Sequence, residues 1–114
     1  MSLMVGTAGE HFVCFDCFYQ SYSANIVNGQ LRYDVLITKK GYFYKVQVKT
    51  STTTTTEGKS YQYVLKYTKN QALKGGYNKK DVDIFAFVNP VLRKVAYIPH
   101  EKVSSNWKVT IQTS

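Results

Sequence analysis

The hydrophobic pattern is clearest in the middle of the chain, where two stretches alternate between apolar and polar residues. Residues 31–38 and 43–50 each separate two sets of side chains onto opposite faces, which is typical of half-buried strands. Residues 39–42, with the sequence Lys-Lys-Gly-Tyr, predict a tight turn between them. The pattern therefore predicts a β-hairpin.

The first part of the chain favours a helix. Thr7 and Glu10 have the spacing of a capping box at a helix start. The apolar residues 12–15 and 17–19, separated by Asp16, form a stretch long enough for a buried helix. Its periodicity alone does not exclude a strand, so both interpretations stay open at this point.

The remaining segments predict short strands joined by loops. Strands are expected at residues 23–27, 61–67, 82–88, 94–98 and 107–112, and short helical segments at residues 70–75 and 100–105. Residues 51–56 are all Ser or Thr and predict a loop. This order of elements predicts one domain over residues 1–114, of the α/β class (α+β mixed sheet), with a helix packed against the sheet.

The composition points to an anionic partner. The chain has 15 Lys and Arg against 7 Asp and Glu, a formal net charge of +8, and such a field attracts polyanions, above all nucleic acid. The basic residues lie at or beyond Arg32 and are spread thinly, which favours a folded basic face over a basic tail. No apolar run approaches the length of a membrane span, so we expect a cytoplasmic protein without a membrane partner.

The cysteines and histidines predict no site of their own. Cys14 and Cys17 match a C-x-x-C motif, but a structural zinc site needs four ligands and the chain has no second cysteine pair. We therefore expect two buried free thiols. His11 and His100 lie in no recognisable triad and are expected to be structural or surface residues.

The predicted hairpin brings polar residues of different chemistry to one patch of sheet. With the turn centred on residues 40–41, Asp34 lies directly across from Gln47, and Arg32 lies across from Lys49. Gln47 and Lys49 share a strand face, so an acid, an amide and an ammonium converge. The alternative interpretation is that these residues are only the ordinary polar face of an amphipathic hairpin.

Glu10 is a further candidate for this patch. In a helix it lies on the same stripe as Cys14 and Cys17, which predicts that it faces the sheet rather than water. A glutamate in such a position is usually paired or bound to a metal. The alternative is a glutamate at the helix start that interacts with the helix dipole.

Together these segments resemble the signature of the PD-(D/E)xK nucleases. The likeness rests on Gly6-x-x-Gly9-Glu10, on residues 33–37 (Tyr-Asp-Val-Leu-Ile) and on residues 46–50 (Val-Gln-Val-Lys-Thr). The branch in question holds archaeal Holliday junction resolvases and a cyanobacterial group I intron homing endonuclease, and residues 81–86 and 96–103 resemble its closing strands. The resemblance covers most of residues 6–103 and implies a restriction-endonuclease-like core: a helix, a β-meander and further strands.

The resemblance implies a Mg²⁺-dependent DNA endonuclease, with Mn²⁺ as a possible substitute. Asp34 would be the central metal ligand, Glu10 would join the metal directly or through water, and the carbonyl of Val48 would be a further ligand. Lys49 would orient or activate the attacking water. Gln47 stands where the family usually has Glu or Asp; its amide oxygen can bind a hard cation but brings no charge, and the intron endonuclease of this branch is similar in carrying Gln here.

Contacts to DNA are expected beside this site. Hydroxyl and backbone N–H groups after residue 49, and nearby lysines, are suited to phosphate contacts, although the loop can also be read as a solvated flexible segment. The candidate residues are Thr50, Ser51, Thr52, Lys59, Lys66 and Lys69. Since cutting two strands with one small domain usually requires two copies, a homodimer or homotetramer is expected by analogy.

Three functions are consistent with the sequence. The first is a DNA endonuclease, either homing-endonuclease-like or Holliday-junction-resolvase-like. The second is a catalytically weak or inactive nucleic-acid-binding module on the same fold, because of Gln47. The third is a basic structural or subunit-interaction protein whose polar hairpin face carries no chemistry. Metal-dependent cleavage separates the first from the others, and DNA binding separates the second from the third.

Overall fold

The computed structural model describes residues 3–27, 31–52, 60–64, 81–103 and 108–112. A helix opens the chain and strands follow it, with a single turn of 3-10 helix, His100–Lys102, after the sixth strand. The elements are α1 (Leu3–Tyr19), β1 (Ser23–Ile26), β2 (Val35–Lys39), β3 (Tyr42–Thr50), β4 (Ser60–Val64), β5 (Ile84–Asn89), β6 (Lys94–Pro99) and β7 (Lys108–Gln112).

The strands form a mixed sheet with α1 against it. Five strands pair in the order β1-β2-β3-β5-β6, and β4 pairs with β7 in a separate two-stranded sheet. Only β3 and β5 are parallel within the larger sheet; its other neighbours are antiparallel. The predicted α+β mixed sheet with a packed helix is therefore confirmed. No helix in the described part of the chain has the length and hydropathy of a membrane span.

The hairpin of β2 and β3 forms in the predicted register, from Lys39 opposite Tyr42 to Val35 opposite Val46. Lys40 and Gly41 have φ values of 51° and 83°. Positive φ at both central residues is the conformation of a type I′ turn, whose twist matches that of the flanking strands. The glycine at the second position relieves the steric strain of this conformation.

The predicted register fails at the open end of the hairpin. The Asp34 N–H donates to the Val46 carbonyl at 2.8 Å, so Asp34 and Val35 both face Val46. Two residues opposite one is the arrangement of a β-bulge, which redirects side chains and is common beside active sites. Asp34 is therefore not paired with Gln47.

Arg32 is also not opposite Lys49, as the register predicted. It forms an ion pair with Asp81 at 3.1 Å instead. The cause is the same departure from regular pairing before β2, since the ladder between β2 and β3 ends at Val35.

Each face of the large sheet has its own core. On the α1 side, Val13 of the helix packs with Val46 and Val48 of β3. On the opposite side, Phe85 and Phe87 of β5 pack with Tyr63 of β4. Because β5 is covered on both faces, its residues form an almost continuous apolar run, as the sequence of residues 84–88 shows.

Several local expectations need correction. Helix α1 begins at Leu3, so Thr7 lies inside the helix and does not cap it. Of the helix expected over residues 100–105, the structure describes one 3-10 turn, His100–Lys102, which ends before the extended Val103; residues 104–105 lie outside the described residues. The expected strand over residues 61–67 is described as far as Val64. The helical segment expected at residues 70–75 lies outside the described residues.

The cysteines are free, as expected, but only Cys17 is buried, while Cys14 is partly exposed. His11 is exposed, and His100 stacks on the Phe85 ring with centroids 6.0 Å apart. These positions agree with structural or surface roles for both histidines.

Candidate active site

Asp34 is held at the end of the sheet by its backbone and its side chain. Its N–H donates to the Val46 carbonyl at 2.8 Å, and its carbonyl accepts from the Val27 N–H at 3.0 Å. Its carboxylate oxygen Oδ2 accepts from the Val48 N–H at 2.8 Å. The carboxylate is therefore fixed against β3 at the residue between Gln47 and Lys49.

Asp34 and Lys49 influence each other electrostatically. Burial raises the pKa of Asp34, while the Val48 N–H and Lys49 oppose this rise. Burial lowers the pKa of Lys49, while Asp34 opposes this fall. A partly buried carboxylate and ammonium that shift each other's pKa, as Asp34 and Lys49 do, are common at functional sites.

Glu10 approaches this pair from the helix. Burial raises the pKa of Glu10, and the Asp34 carboxylate raises it further, while His11 opposes both. The two carboxylates are thus close enough to repel each other. The predicted inward orientation of Glu10 agrees with this interaction, and the bulge at Asp34 frees that residue from the strict alternation of a strand.

Gln47 and Lys49 lie on the sheet face opposite to α1. In the parallel pairing of β3 with β5 they stand beside Phe85 and Phe87, which belong to the core on that side. Both side chains are half-buried. Asp34 therefore interacts electrostatically with both Glu10 and Lys49. Gln47 lies on the same strand face as Lys49.

The predicted DNA-contacting residues differ in how far they are exposed to solvent. The Thr50 hydroxyl is buried, so its position does not support a direct phosphate contact. Ser51 is half-buried and its N–H donates to the Val88 carbonyl at 3.1 Å, whereas Thr52 is exposed. Lys59, Lys66 and Lys69 lie outside the described residues.

Sequence reasoning missed two acids that support the site. Asp83 bonds twice to Lys45: its N–H donates to the Lys45 carbonyl, and its carboxylate accepts from the Lys45 N–H, both at 2.8 Å. Asp81 holds Arg32 two residues before Asp34. The sequence did contain a signal for them. Asp81 and Asp83 stand directly before an apolar strand, and carboxylates in that position often bond to backbone N–H groups or form ion pairs at the strand start.

The donor atoms at this site suit a hard divalent cation. Glu10 and Asp34 offer carboxylate oxygens, a ligand type that Mg²⁺ accepts. A cation would also relieve the repulsion between the two carboxylates. Among the residues that the structure describes, no group of three or more His, Cys, Asp or Glu side chains could hold a metal.

The structure resembles two solved nucleases. The bacterial homing endonuclease I-Ssp6803I matches with a TM-score of 0.82 and 16% identity, over 97% of this chain and 78% of that chain. Hjc, a Holliday junction resolvase from Archaeoglobus fulgidus, matches with a TM-score of 0.55 and 14% identity, over 95% of this chain and 91% of that chain. At these identities the likeness shows a shared fold, which is of the restriction-endonuclease-like class.

The family is shown by sequence. The model of the PD-(D/E)XK endonuclease family matches residues 6–114. The chain belongs to the PD-(D/E)XK endonuclease family, and the predicted resemblance is confirmed. A search of curated proteins gave no match.

Proposed function

We propose that this protein is a Mg²⁺-dependent endonuclease that hydrolyses phosphodiester bonds in DNA, with Mn²⁺ able to replace Mg²⁺. The observation that carries the proposal is the position of Asp34 at the end of the sheet, where its carboxylate accepts from the Val48 N–H and interacts electrostatically with both Glu10 and Lys49. Membership of an endonuclease family supports the same conclusion. The two structural neighbours, a homing endonuclease and a Holliday junction resolvase, suggest linear and branched DNA as the substrates to test.

The proposed roles follow from the chemistry of each group. Glu10, Asp34 and Gln47 would hold the metal with their oxygen atoms, together with the carbonyl of Val48. A bound Mg²⁺ supplies a polarised phosphoryl oxygen and a more acidic water. The Val48 N–H keeps the Asp34 carboxylate in place, and Lys49 offsets the negative charge that develops on the phosphate.

Cleavage of plasmid, linear duplex and four-way-junction DNA tests the proposal directly. With Mg²⁺ or Mn²⁺ we expect cleavage by the wild type and a loss of roughly 100-fold or more in Asp34→Ala and Lys49→Ala. The matched control is Lys94→Ala, which removes an exposed lysine of β6 and leaves the rate unchanged. Equal cleavage by all four proteins would indicate a contaminating nuclease and refute the proposal.

The alternative function is a weak or inactive nucleic-acid-binding module. The observation that favours it is Gln47, which leaves Glu10 and Asp34 as the charged ligands of the proposed metal. Gln47→Glu tests it, because a third carboxylate binds divalent cations more strongly. If Gln47 limits activity, this variant cleaves faster or at lower Mg²⁺; if neither protein cleaves but both bind DNA in gel shifts at low salt, the alternative is the better description.

DNA binding and assembly complete the proposal. The net charge of +8 supports a DNA partner, and we keep Ser51, Thr52, Lys59, Lys66 and Lys69 as candidate phosphate contacts. We also propose that two copies, or two pairs of copies, assemble so that each strand of a duplex meets one site. A cytoplasmic location fits such a role.

A further inference from the structure

Helix α1 meets strand β3 through an unusually close contact at Gly9. Gly9 is buried, and a Cβ added to it would overlap Thr50 Oγ1 and lie 3.1 Å from Thr50 Cβ. A Cβ added to Gly6, one turn earlier in the same helix, would meet no atom within 4 Å. The helix can therefore approach the strand this closely only because residue 9 lacks a side chain.

The contact involves the residues next to the proposed catalytic groups. Gly9 directly precedes Glu10, and Thr50 directly follows Lys49. The Thr50 hydroxyl is buried and has no hydrogen-bond partner among the residues that the structure describes. The Thr50 side chain packs against Gly9, since its Oγ1 and Cβ are the atoms nearest to the position that a Cβ on residue 9 would take.

We infer that Gly9 is a positioning residue, whose contact with Thr50 sets the distance of Glu10 from Asp34 and Lys49. The inference rests on the proposed endonuclease function. Any side chain at residue 9 must displace either the helix or the end of β3, because the atoms it meets include the Cβ of Thr50 and not only the end of a flexible chain. Such a displacement changes the metal site, and a misplacement of about 1 Å can cost roughly 100-fold in rate.

Two glycines one turn apart provide a matched experiment. Gly9→Ala and Gly6→Ala both exchange glycine for alanine in the same helix, and both favour the helix by a similar amount. We expect Gly9→Ala to lower the cleavage rate about 10- to 100-fold and to raise the Mn²⁺ concentration needed for half-maximal cleavage. Gly6→Ala cleaves like the wild type, with the same metal dependence.

A second pair of variants separates positioning from general damage to the fold. Gly9→Ala combined with Thr50→Ala recovers much of the rate of Thr50→Ala alone, because the overlap with Oγ1 is removed and only the 3.1 Å approach to the Cβ of residue 50 remains. Gly9→Ala added to Glu10→Gln lowers the residual rate little further, because the residue that Gly9 positions has already lost its charge. The melting temperatures of the two single variants and of the double variant test the same contact independently of activity. They show whether the effects of Gly9→Ala and Thr50→Ala on stability are additive.

Three results would overturn the inference: wild-type cleavage by Gly9→Ala, equal losses in Gly9→Ala and Gly6→Ala, or an undiminished loss from Gly9→Ala in the Glu10→Gln background. If the wild type neither cleaves DNA nor binds Mn²⁺, the proposed function fails and the inference falls with it. Thermal melting separates failure of the proposed function from failure of the inference. If the wild type has no activity but the melting temperatures still show coupling between residues 9 and 50, the contact contributes to the fold alone.

Discussion

The carboxylates of Glu10 and Asp34 repel each other when both are ionised. Burial and then Asp34 raise the pKa of Glu10. A raised pKa means that the stability from protonated Glu10 is complete below its unfolded pKa and is lost as the pH rises through its folded pKa. At neutral pH the ionised pair therefore opposes folding, which is a common property of sites built for a ligand.

Glu10→Gln tests this cost. The substitution removes one of the two repelling charges and keeps the side-chain size, so we expect the melting temperature of the metal-free protein at pH 7 to rise by about 1–3 °C. The rise that Mg²⁺ or Mn²⁺ produces in the wild type should shrink in the variant, because a metal ligand is lost. Glu101→Gln, at an exposed glutamate of the 3-10 turn, is the control and should change neither value. A fall in the melting temperature of Glu10→Gln would contradict the repulsion.

At the level of elements, Asp83 links the start of β5 to β3. This parallel pairing joins residues far apart in the chain, Val46 with Ile84 and onward, so no turn fixes its register. The two bonds between Asp83 and Lys45 stand at the start of the ladder. They therefore align β5 with the strand that carries Gln47 and Lys49.

Asp83→Ala should lower the free energy of unfolding by about 1–3 kcal/mol, because the Lys45 N–H loses its acceptor in a partly buried position. Asp83→Asn keeps an acceptor oxygen and should lose less. Asp81→Ala breaks an ion pair whose side chains are 29% and 23% exposed, and it should cost roughly 0–1 kcal/mol. Urea denaturation measures all three, and a larger loss in Asp81→Ala than in Asp83→Ala would show that the ion pair is the stronger connection.

The end of α1 is joined to β6 by a group that titrates at high pH. The Tyr97 hydroxyl donates to Asp16 Oδ2 at 2.6 Å and lies 3.8 Å from Cys17 Sγ. Burial, followed by the bond to Asp16, raises the pKa of Tyr97. Burial also raises the pKa of Cys17, which Asp16 and Cys14 raise further while the Tyr97 bond opposes it.

These shifts predict a loss of stability in alkali. The stability linked to Tyr97 is complete below its unfolded pKa of about 10 and is lost as the pH rises above it. Between pH 9 and pH 11 the melting temperature of the wild type should fall more steeply than that of Tyr97→Phe, which has no such proton to lose. Tyr42→Phe, at a tyrosine that is 67% exposed, should fall as steeply as the wild type. Parallel curves for the wild type and Tyr97→Phe would contradict the prediction.

At the scale of the whole molecule, the exposed rings of α1 lie in a part of the sequence without basic residues, whereas the exposed rings of Tyr42 and Phe43 follow Lys39 and Lys40. Residues 1–31 contain no Lys or Arg, and helix α1 exposes Phe15 by 63%, Phe18 by 58% and Tyr19 by 82%. The Phe15 and Tyr19 rings stack with centroids 6.0 Å apart. A face with exposed rings and no basic residue suits a protein partner better than DNA, and a second copy brings no opposing positive charges to it.

We predict that copies of the protein associate through this face of α1. We expect the wild type to elute as a dimer or tetramer in size exclusion with light scattering, and Phe15→Glu combined with Tyr19→Glu to be monomeric, because two charges would be buried on each side of the contact. Val91→Glu, at an apolar residue that is 65% exposed on the turn between β5 and β6, should leave the assembly intact. A wild type that is monomeric at assay concentrations would rule out this interface.

Much of the hairpin and part of the site were predictable because they depend on neighbours in the chain. The alternation of residues 43–50 and the turn at Lys40 and Gly41 are local, and they fixed the register of β2 with β3. The helical period predicted that Glu10 faces the sheet, and the interaction of Glu10 with Asp34 agrees with that orientation. The bulge at Asp34 was not predictable, because it arises from bonds to Val27 and Val48 that no local pattern encodes.

The sequence by itself determined the alternation of the strands, the positive net charge, and the motif that places the chain in its family. Each is a property of residue types and of short spacings. Only the tertiary structure decided that Gly9 lies against Thr50 and that Asp83 aligns β5 with β3. The physical reason is that these contacts join segments separated by dozens of residues, so their geometry depends on how the helix and the sheet pack together.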